Sequence, residues 1–390
     1  MNRIAGLILT PGGWLRGTLG HDGCRIVALH GEPAGADAWR ESAGAVVLPG
    51  FIDLHVHGGG GADVMQAGEA IDTVARTHAR HGTTALLATT MTAPRAEIEA
   101  ALRALSGACA ARSDRAARVI GVHLEGPYIS PHKLGAQPAF AASPSAAEIL
   151  ALAALAPIRV VTLAPELPDA LATTAALVAA GIRVQIGHST ASYDEACAAL
   201  AAGAAGFTHL FNAMSGLHHR APGAAGAALA HARHAELIPD LLHVHPGAMR
   251  AALRAIPGLY CVTDATAAAA MPDGKYPLGR HVVSKCGGGV RLADGTLAGS
   301  TLTMDQALRN LVNVLGLDLA EASQCVSTRA AQYLGLADRG ELRVGAMADA
   351  VVLDTQLIVR RVIVEGQDVD VAEVISRRSA PASGEPKPLS

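Results

Sequence analysis

Six residues of this chain are of the types that hold a divalent metal ion through nitrogen and oxygen, and each stands where a short apolar run gives out: His55, His57, Glu125, His188, His209 and Asp264. Neutral imidazole and carboxylate are the donors that borderline divalent ions such as zinc and iron take. The first two lie in "GFIDLHVHGGG", residues 50–60, at the end of a run that alternates apolar and polar. Side chains two apart on a strand share a face, so His55 and His57 can grip one ion together. The glycines that follow let backbone and substrate approach closely.

Such a set needs a scaffold that brings distant strand ends together. Eight β-rich runs alternate with Ala/Leu-rich helical stretches: "FIDLHVH" (51–57), "TTALLATT" (83–90), "RVIGVHLEG" (118–126), "RVVTLAPE" (159–166), "RVQIGHS" (183–189), "GFTHLFNA" (206–213), "ELIPDLLHV" (236–244) and "GLYCVTDAT" (258–266). Strands alternating with helices predict a parallel sheet. Eight of them in one series predict an α/β fold of the closed (β/α)8 type, a TIM barrel over residues 49–336. Barrel enzymes build their sites at the C-terminal strand ends. There the first strand carries His55 and His57, the third Glu125, the fifth His188, the sixth His209 and the eighth Asp264. Helix punctuation agrees: Ser145 with Glu148 and Ser192 with Glu195 form capping-box patterns, and Gly82 and Gly203 close two helices.

Outside this series, "RIAGLILT", "CRIVALH" and "GAVVLP" within residues 1–48, and "ADAVVLD" and "LIVRRVIVEGQDV" within 337–375, read as further strands. Neither set can bury a core alone, so they predict one small β-sandwich domain built from both chain ends. The Pro/Ser-rich stretch 376–390 is expected to be disordered.

Composition narrows the partners. Of the 390 residues 50% are hydrophobic and 17% charged, with a net charge of −3, which excludes the basic signature of a nucleic-acid or membrane-surface binder. The N-terminus lacks the long apolar segment and cleavage site of a signal peptide, and runs such as 170–182 are too short and mixed to span a bilayer. Six dispersed cysteines without a C-x-x-C pair read as reduced thiols of a cytoplasmic protein. Most of the seventeen histidines are ordinary structural residues by default, among them His30, His78, His81, His132, His231 and His234. His218 and His219 stay open. His123, two residues before Glu125 and deeper in its strand, is expected to support the site from behind.

The motifs together resemble a known family. "PGFIDLHVHG" is similar to the first-strand signature of the amidohydrolase superfamily, and "HLEGPYIS", "GHST", "THLFNAM", "VTDAT" and "GTLAGSTLTMDQALRN" resemble the N-acetylglucosamine-6-phosphate deacetylases. The resemblance runs through nearly the whole chain. It implies that Glu125, His188 and His209 hold one metal ion and that Asp264 is the catalytic acid and base. Some members have amides at the first-strand positions and use a single ion. Both histidines are present here, which implies a second ion on His55, His57, Glu125 and Asp264, so one or two divalent ions per chain, zinc or iron. For a phosphorylated amino sugar the resemblance implies contacts from Ala136, Asn212, Ala213, His243 and the backbone of Leu297, Ala298 and Gly299. It also implies a phosphate contact from Arg220, reaching across the interface of a homodimer. The family's usual Asp-Gly-Leu-His is here Asp240-Leu241-Leu242-His243, which is expected to alter that loop and its substrate choice. The activity implied is hydrolysis of N-acetylglucosamine 6-phosphate to acetate and the amine. The galactosamine isomer, another amide, and a non-catalytic scaffold are the alternatives.

Overall fold

The structure is a computed structural model that describes residues 2–41 and 44–371. The stretch 376–390 expected to be disordered lies outside the described residues, as do 372–375. Six parallel strands run in chain order through one curled sheet: Phe51–Val56, Thr83–Thr90, Arg118–Glu125, Ile158–Leu163, Arg183–Ile186 and Gly206–Phe207. Two more, Glu236–Leu237 and Tyr260–Cys261, pair in parallel with each other. Backbone hydrogen bonds join this pair to both edges of the six. Leu210 N donates to Glu236 O (2.9 Å) on one side, and Asp264 N to His55 O (2.9 Å) on the other, where Val56 bridges Ala265. The ring of eight is therefore closed, as the alternation predicts.

The barrel strands are buried on both faces, Thr83–Thr90 throughout, as a sheet walled by helices requires. The fifth to eighth strands are shorter than their apolar runs. The backbone leaves the extended conformation at the residues that matter: φ is +46° at His188, +28° at His209 and +50° at Asp264. Strand ladders need negative φ, so each ends just before its functional side chain. Of the two predicted capping boxes, Ser192–Glu195 is complete. At Ser145 only the serine half forms, because Glu148 turns its carboxylate towards Arg95 (3.5 Å). The helix Ala70–Arg80 ends before Gly82, at φ +91°.

The small domain is built from both chain ends. Its seven strands form one sheet in the order Gln367–Val369, Val359–Val364, Ala350–Leu353, Val46–Pro49, Asn2–Thr10, Gly13–Asp22, Arg25–Pro33. One face encloses a core of Ile4, Ile8, Leu19, Ile26, Val47, Val352 and Ile363. The other packs Leu7, Val46, Leu48, Val351 and Val362 into the main core with the barrel. Only Gly50 separates Val46–Pro49 from the first barrel strand. A three-stranded antiparallel sheet, Gly274–Leu278, His281–Cys286 and Gly289–Arg291, follows the eighth strand and is not foreseen in the sequence reading. No helix among the described residues is long and apolar enough to cross a membrane.

Candidate metal centre and active site

All six predicted ligand residues meet at the C-terminal mouth of the barrel. Glu125 is the hub, and its two carboxylate oxygens face different partners. Oε1 lies 3.1 Å from His188 Nε2 and 3.1 Å from His209 Nε2. Oε2 lies 3.1 Å from His57 Nε2 and 3.5 Å from His55 Nε2. Asp264 Oδ1 joins the second group at 3.3 Å from His57 and 3.5 Å from His55. Two clusters of buried donors thus share one carboxylate.

Proton positions decide what these atoms can do. His57 Nδ1 faces the Thr89 carbonyl (3.2 Å) and His188 Nδ1 the Lys133 carbonyl (2.7 Å). A carbonyl only accepts, so both nitrogens carry a proton, and in the uncharged ring Nε2 keeps a bare lone pair. His55 Nδ1 is set against Glu236 Oε2 at 2.9 Å. The Nε2 atoms of His55 and His57 are 3.2 Å apart, and those of His188 and His209 3.1 Å. Lone pairs facing one another at that range repel unless a cation lies between them. With metal–nitrogen bonds of about 2.1 Å such a pair subtends about 100° at a shared ion. The donor set fits a divalent metal in both halves.

The electrostatics agree. Burial pulls the His57 imidazole down, but hydrogen bonds from its charged form to Asp264 and Glu125 outweigh it and lift it to about 9. Burial pushes Glu125 up, yet the His55 charge and the bonds from His188 and His209 hold it well below the usual carboxylate range. Asp264 is likewise lowered against its burial, by His55 and His57. The centre is built for positive charge, which metal ions supply without protonating the imidazoles.

Above the donors opens a cavity of about 340 Å³. His57, Glu125, His188, His209 and Asp264 line its base, and Ala136, Asn212, Ala213, His243, Leu297 and Gly299 line its walls. His243 is held by Asp240, Nδ1 to Oδ2 at 2.7 Å. Two predicted substrate residues are not among the lining. Ala298 is fully buried behind the wall, with its N–H spent on Val290 O (3.1 Å). Arg220 is exposed on a separate outer cleft beside Tyr193 and Ser215, its Nη1 2.8 Å from His219 Nε2. Among the described residues, Lys133 is the one lysine or arginine lining the main cavity.

Comparison with known proteins places this geometry in a family. A sequence profile of the amidohydrolase family matches residues 46–377. The chain belongs to that family. It is 39% identical over 348 residues to an N-acetylglucosamine-6-phosphate deacetylase of Lysinibacillus sphaericus, covering 87% of this chain and 89% of that one. It is 41% identical over 367 residues to an N-acetylgalactosamine-6-phosphate deacetylase of Escherichia coli O157:H7, covering 92% and 97%. Among solved structures it is similar to the N-acetyl-D-glucosamine-6-phosphate deacetylase of Mycobacterium smegmatis in complex with N-acetyl-D-glucosamine-6-phosphate, with a TM-score of 0.85, 35% identity and coverage of 94% and 98%. The enzyme from Thermotoga maritima gives a TM-score of 0.86 at 32% identity, with coverage of 95% and 99%.

In this amidohydrolase several residues that sequence reasoning passed over brace the centre. Gln137 Nε2 donates to Glu125 Oε2 (2.7 Å), while its Oε1 accepts from Thr92 N (2.7 Å). Asp53 shares the alternation of His55 and His57, but accepts from Thr263 Oγ1 (2.6 Å) and Thr263 N (3.1 Å), so it ties the first strand to the eighth. Burial lifts its carboxyl to about 7 against those bonds. Glu236 opens the seventh apolar run, and an acid in such a run was the available signal. His123 sits behind the ligands as expected, its ring nitrogens engaged by Leu54 O (3.2 Å) and Thr162 Oγ1 (2.7 Å). Gly58, the first glycine after His57, serves backbone packing: a Cβ there would lie 2.5 Å from Ala267 N, whereas at Gly59 and Gly60 it would meet the His78 and Thr77 side chains.

Proposed function

We propose that this chain hydrolyses N-acetyl-D-glucosamine 6-phosphate to glucosamine 6-phosphate and acetate. The observation that carries the reading is Glu125 dividing two histidine pairs between its oxygens at the base of a cavity, with Asp264 beside them. The similarity to deacetylases along most of both chains supports the substrate.

Glu125, His188 and His209 would hold one ion, and His55, His57, Glu125 and Asp264 a second; zinc and iron(II) suit these donors. A bound ion supplies Lewis acidity, which acidifies water towards neutrality and polarises the acetyl carbonyl. Asp264, an anion at neutral pH because its carboxyl is lowered, accepts the proton of the attacking water. The water oxygen bonds the acetyl carbon, and the carbon–nitrogen bond breaks. Asp264 returns the proton to the departing nitrogen, so water is consumed and acetate and amine are released. His243, fixed by Asp240, orients the sugar together with Asn212 and Ala213. Arg220 lies outside its own chain's cavity, which accords with a phosphate contact made in the partner subunit of a homodimer. An arginine suits that task because its fork gives paired charge-assisted bonds. The unpaired cysteines accord with a reducing cytoplasm.

A second reading, the galactosamine isomer, is favoured by the 41% identical relative, of which the chain covers 97%. The deciding experiment measures acetate release from N-acetylglucosamine 6-phosphate, its galactosamine isomer and the unphosphorylated sugar, with metal content on the same sample. Turnover of the first above the others supports the proposal. Preference for the isomer selects the second reading. Bound metal without turnover of any of the three refutes both.

A further inference from the structure

Of the four imidazoles at the centre, one is treated differently. His57 and His188 rest their Nδ1 atoms on neutral carbonyls, and His209 Nδ1 has no hydrogen-bond partner among the described residues. His55 Nδ1 faces a carboxylate, Glu236 Oε2, at 2.9 Å, with both side chains fully buried. The same oxygen accepts the backbone N–H of His209 at 3.2 Å. The other oxygen is 3.4 Å from the Tyr260 hydroxyl, which in turn accepts from Gln185 Nε2 at 2.7 Å. Glu236 therefore touches both halves of the centre without facing the cavity.

Resting on the metal centre proposed above, we infer that Glu236 is the positioning residue that makes the His55/His57 half bind its ion. Its carboxylate holds the proton on His55 Nδ1, keeps the Nε2 lone pair aimed at Glu125 Oε2, and makes that imidazole a stronger donor. It also sets the charge balance. Glu125, Glu236 and Asp264 are three buried carboxylates around one centre. A single divalent ion leaves them in excess, which is costly away from water. Two ions overbalance them by one positive charge, which suits an anionic substrate. Although His55, His123 and Glu236 lie close enough to resemble a third metal site, both His123 nitrogens are already engaged, so that trio is a brace.

The test uses the full chain stripped by a chelator and titrated with zinc or cobalt(II) alone. Bound metal is read by elemental analysis, and cobalt by its absorption spectrum. Glu236→Gln keeps the shape and can still accept from His55 and His209 through its amide oxygen, so chiefly the charge is lost. The wild type should bind two ions. The variant should bind the second about 10- to 100-fold more weakly, with the first unchanged. Tyr260→Phe removes the contact on the far oxygen together with the acceptor of Gln185 Nε2, keeps the contact between Glu236 and His55, and should leave both affinities as in the wild type. Equal binding by wild type and Glu236→Gln overturns the inference, as does equal weakening of both ions or a Tyr260→Phe variant that loses the second ion as well. A wild type that binds one ion overturns it while leaving the hydrolase reading intact. A wild type that binds none sinks the metal centre itself.

Discussion

Gly299 lines the cavity at φ +59°, beside the residue proposed as acid and base. A Cβ there would lie 2.7 Å from Thr266 Cγ2, 2.9 Å from the Asp264 carbonyl oxygen and 3.5 Å from its Oδ1. The left-handed backbone costs an alanine about 1–2 kcal/mol, and overpacking against backbone adds about 1–3 kcal/mol. The Asp264 carbonyl has little room to retreat, since it accepts from Ser300 N at 2.8 Å while Asp264 N donates to His55 O at 2.9 Å. Relief must come from moving the end of the eighth strand, and with it Asp264 Oδ1, now 3.3 Å from His57 Nε2. A displacement of about 1 Å costs on the order of 100-fold in rate. Gly299→Ala should therefore lose about 2–5 kcal/mol of stability and at least about tenfold in kcat, and it should weaken the ion on His55 and His57. Gly316→Ala is the control: φ is +75° there and no atom lies within 4 Å of the added carbon, so it pays the backbone strain alone. Thermal melts, kcat and KM from acetate release, and bound metal are measured on both. If Gly299→Ala behaves like Gly316→Ala, with kcat and metal unchanged, close approach to Asp264 is not what the position demands.

Asp264→Asn should keep the ion held by Glu125, His188 and His209 but lose turnover by at least about 100-fold; near-normal rates would remove Asp264 as acid and base. Arg220→Ala should raise KM for the phosphorylated substrate by about 10- to 100-fold, the equivalent of a charge-assisted contact worth about 1.5–3 kcal/mol, and leave an unphosphorylated acetamide sugar unaffected. An unchanged KM would refute the phosphate contact. Acid should loosen the small domain through Glu365. Burial pushes this carboxyl up, but bonds from Arg118 and Arg339 outweigh it and hold it at about 2, and Arg112 is also within 3.1 Å. Its folded value lies below the unfolded value of about 4.3, so its stabilisation is complete above that pH and fades as pH falls towards about 2. Glu365→Gln should flatten the acid limb of the melting-temperature profile, and an unaltered limb would refute the assignment.

The barrel and the gathering of its candidate ligand residues were legible because two periodicities expose them. Alternation put His55 and His57 on one face, and strand–helix alternation put Glu125, His188, His209 and Asp264 at one mouth. What stayed hidden depends on where φ turns positive. The apolar runs 206–213 and 236–244 read as long strands, yet the ladder stops at Phe207 and Leu237. Leu241 adopts φ +69°, which explains in physical terms why the resembled family carries glycine at that position. The loop nevertheless keeps Asp240 bonded to the His243 backbone N–H at 2.9 Å, so the departure leaves His243 anchored. Gln137 carried no signal, and the acid at the head of the seventh run did not by itself give Glu236 a role, because a buried polar residue is functional or structural according to its partner, and the partners of Glu236, His55 and His209, lie far off in sequence. Arg220 shows the converse: its residue type suits a phosphate, but spacing along the chain cannot say that it lies outside its own chain's cavity.

The strand Val46–Pro49 has Asn2–Thr10 on one side and Ala350–Leu353 on the other. At a synthesis rate of about 5–20 residues per second, the roughly 300 residues between Pro49 and Ala350 take on the order of 15–60 s to emerge. For that interval one edge of an apolar strand stays open on the ribosome, a template for pairing with other chains. The rod that continues into His55 and His57 is thus moored to a sheet whose closing strands are the last to be made.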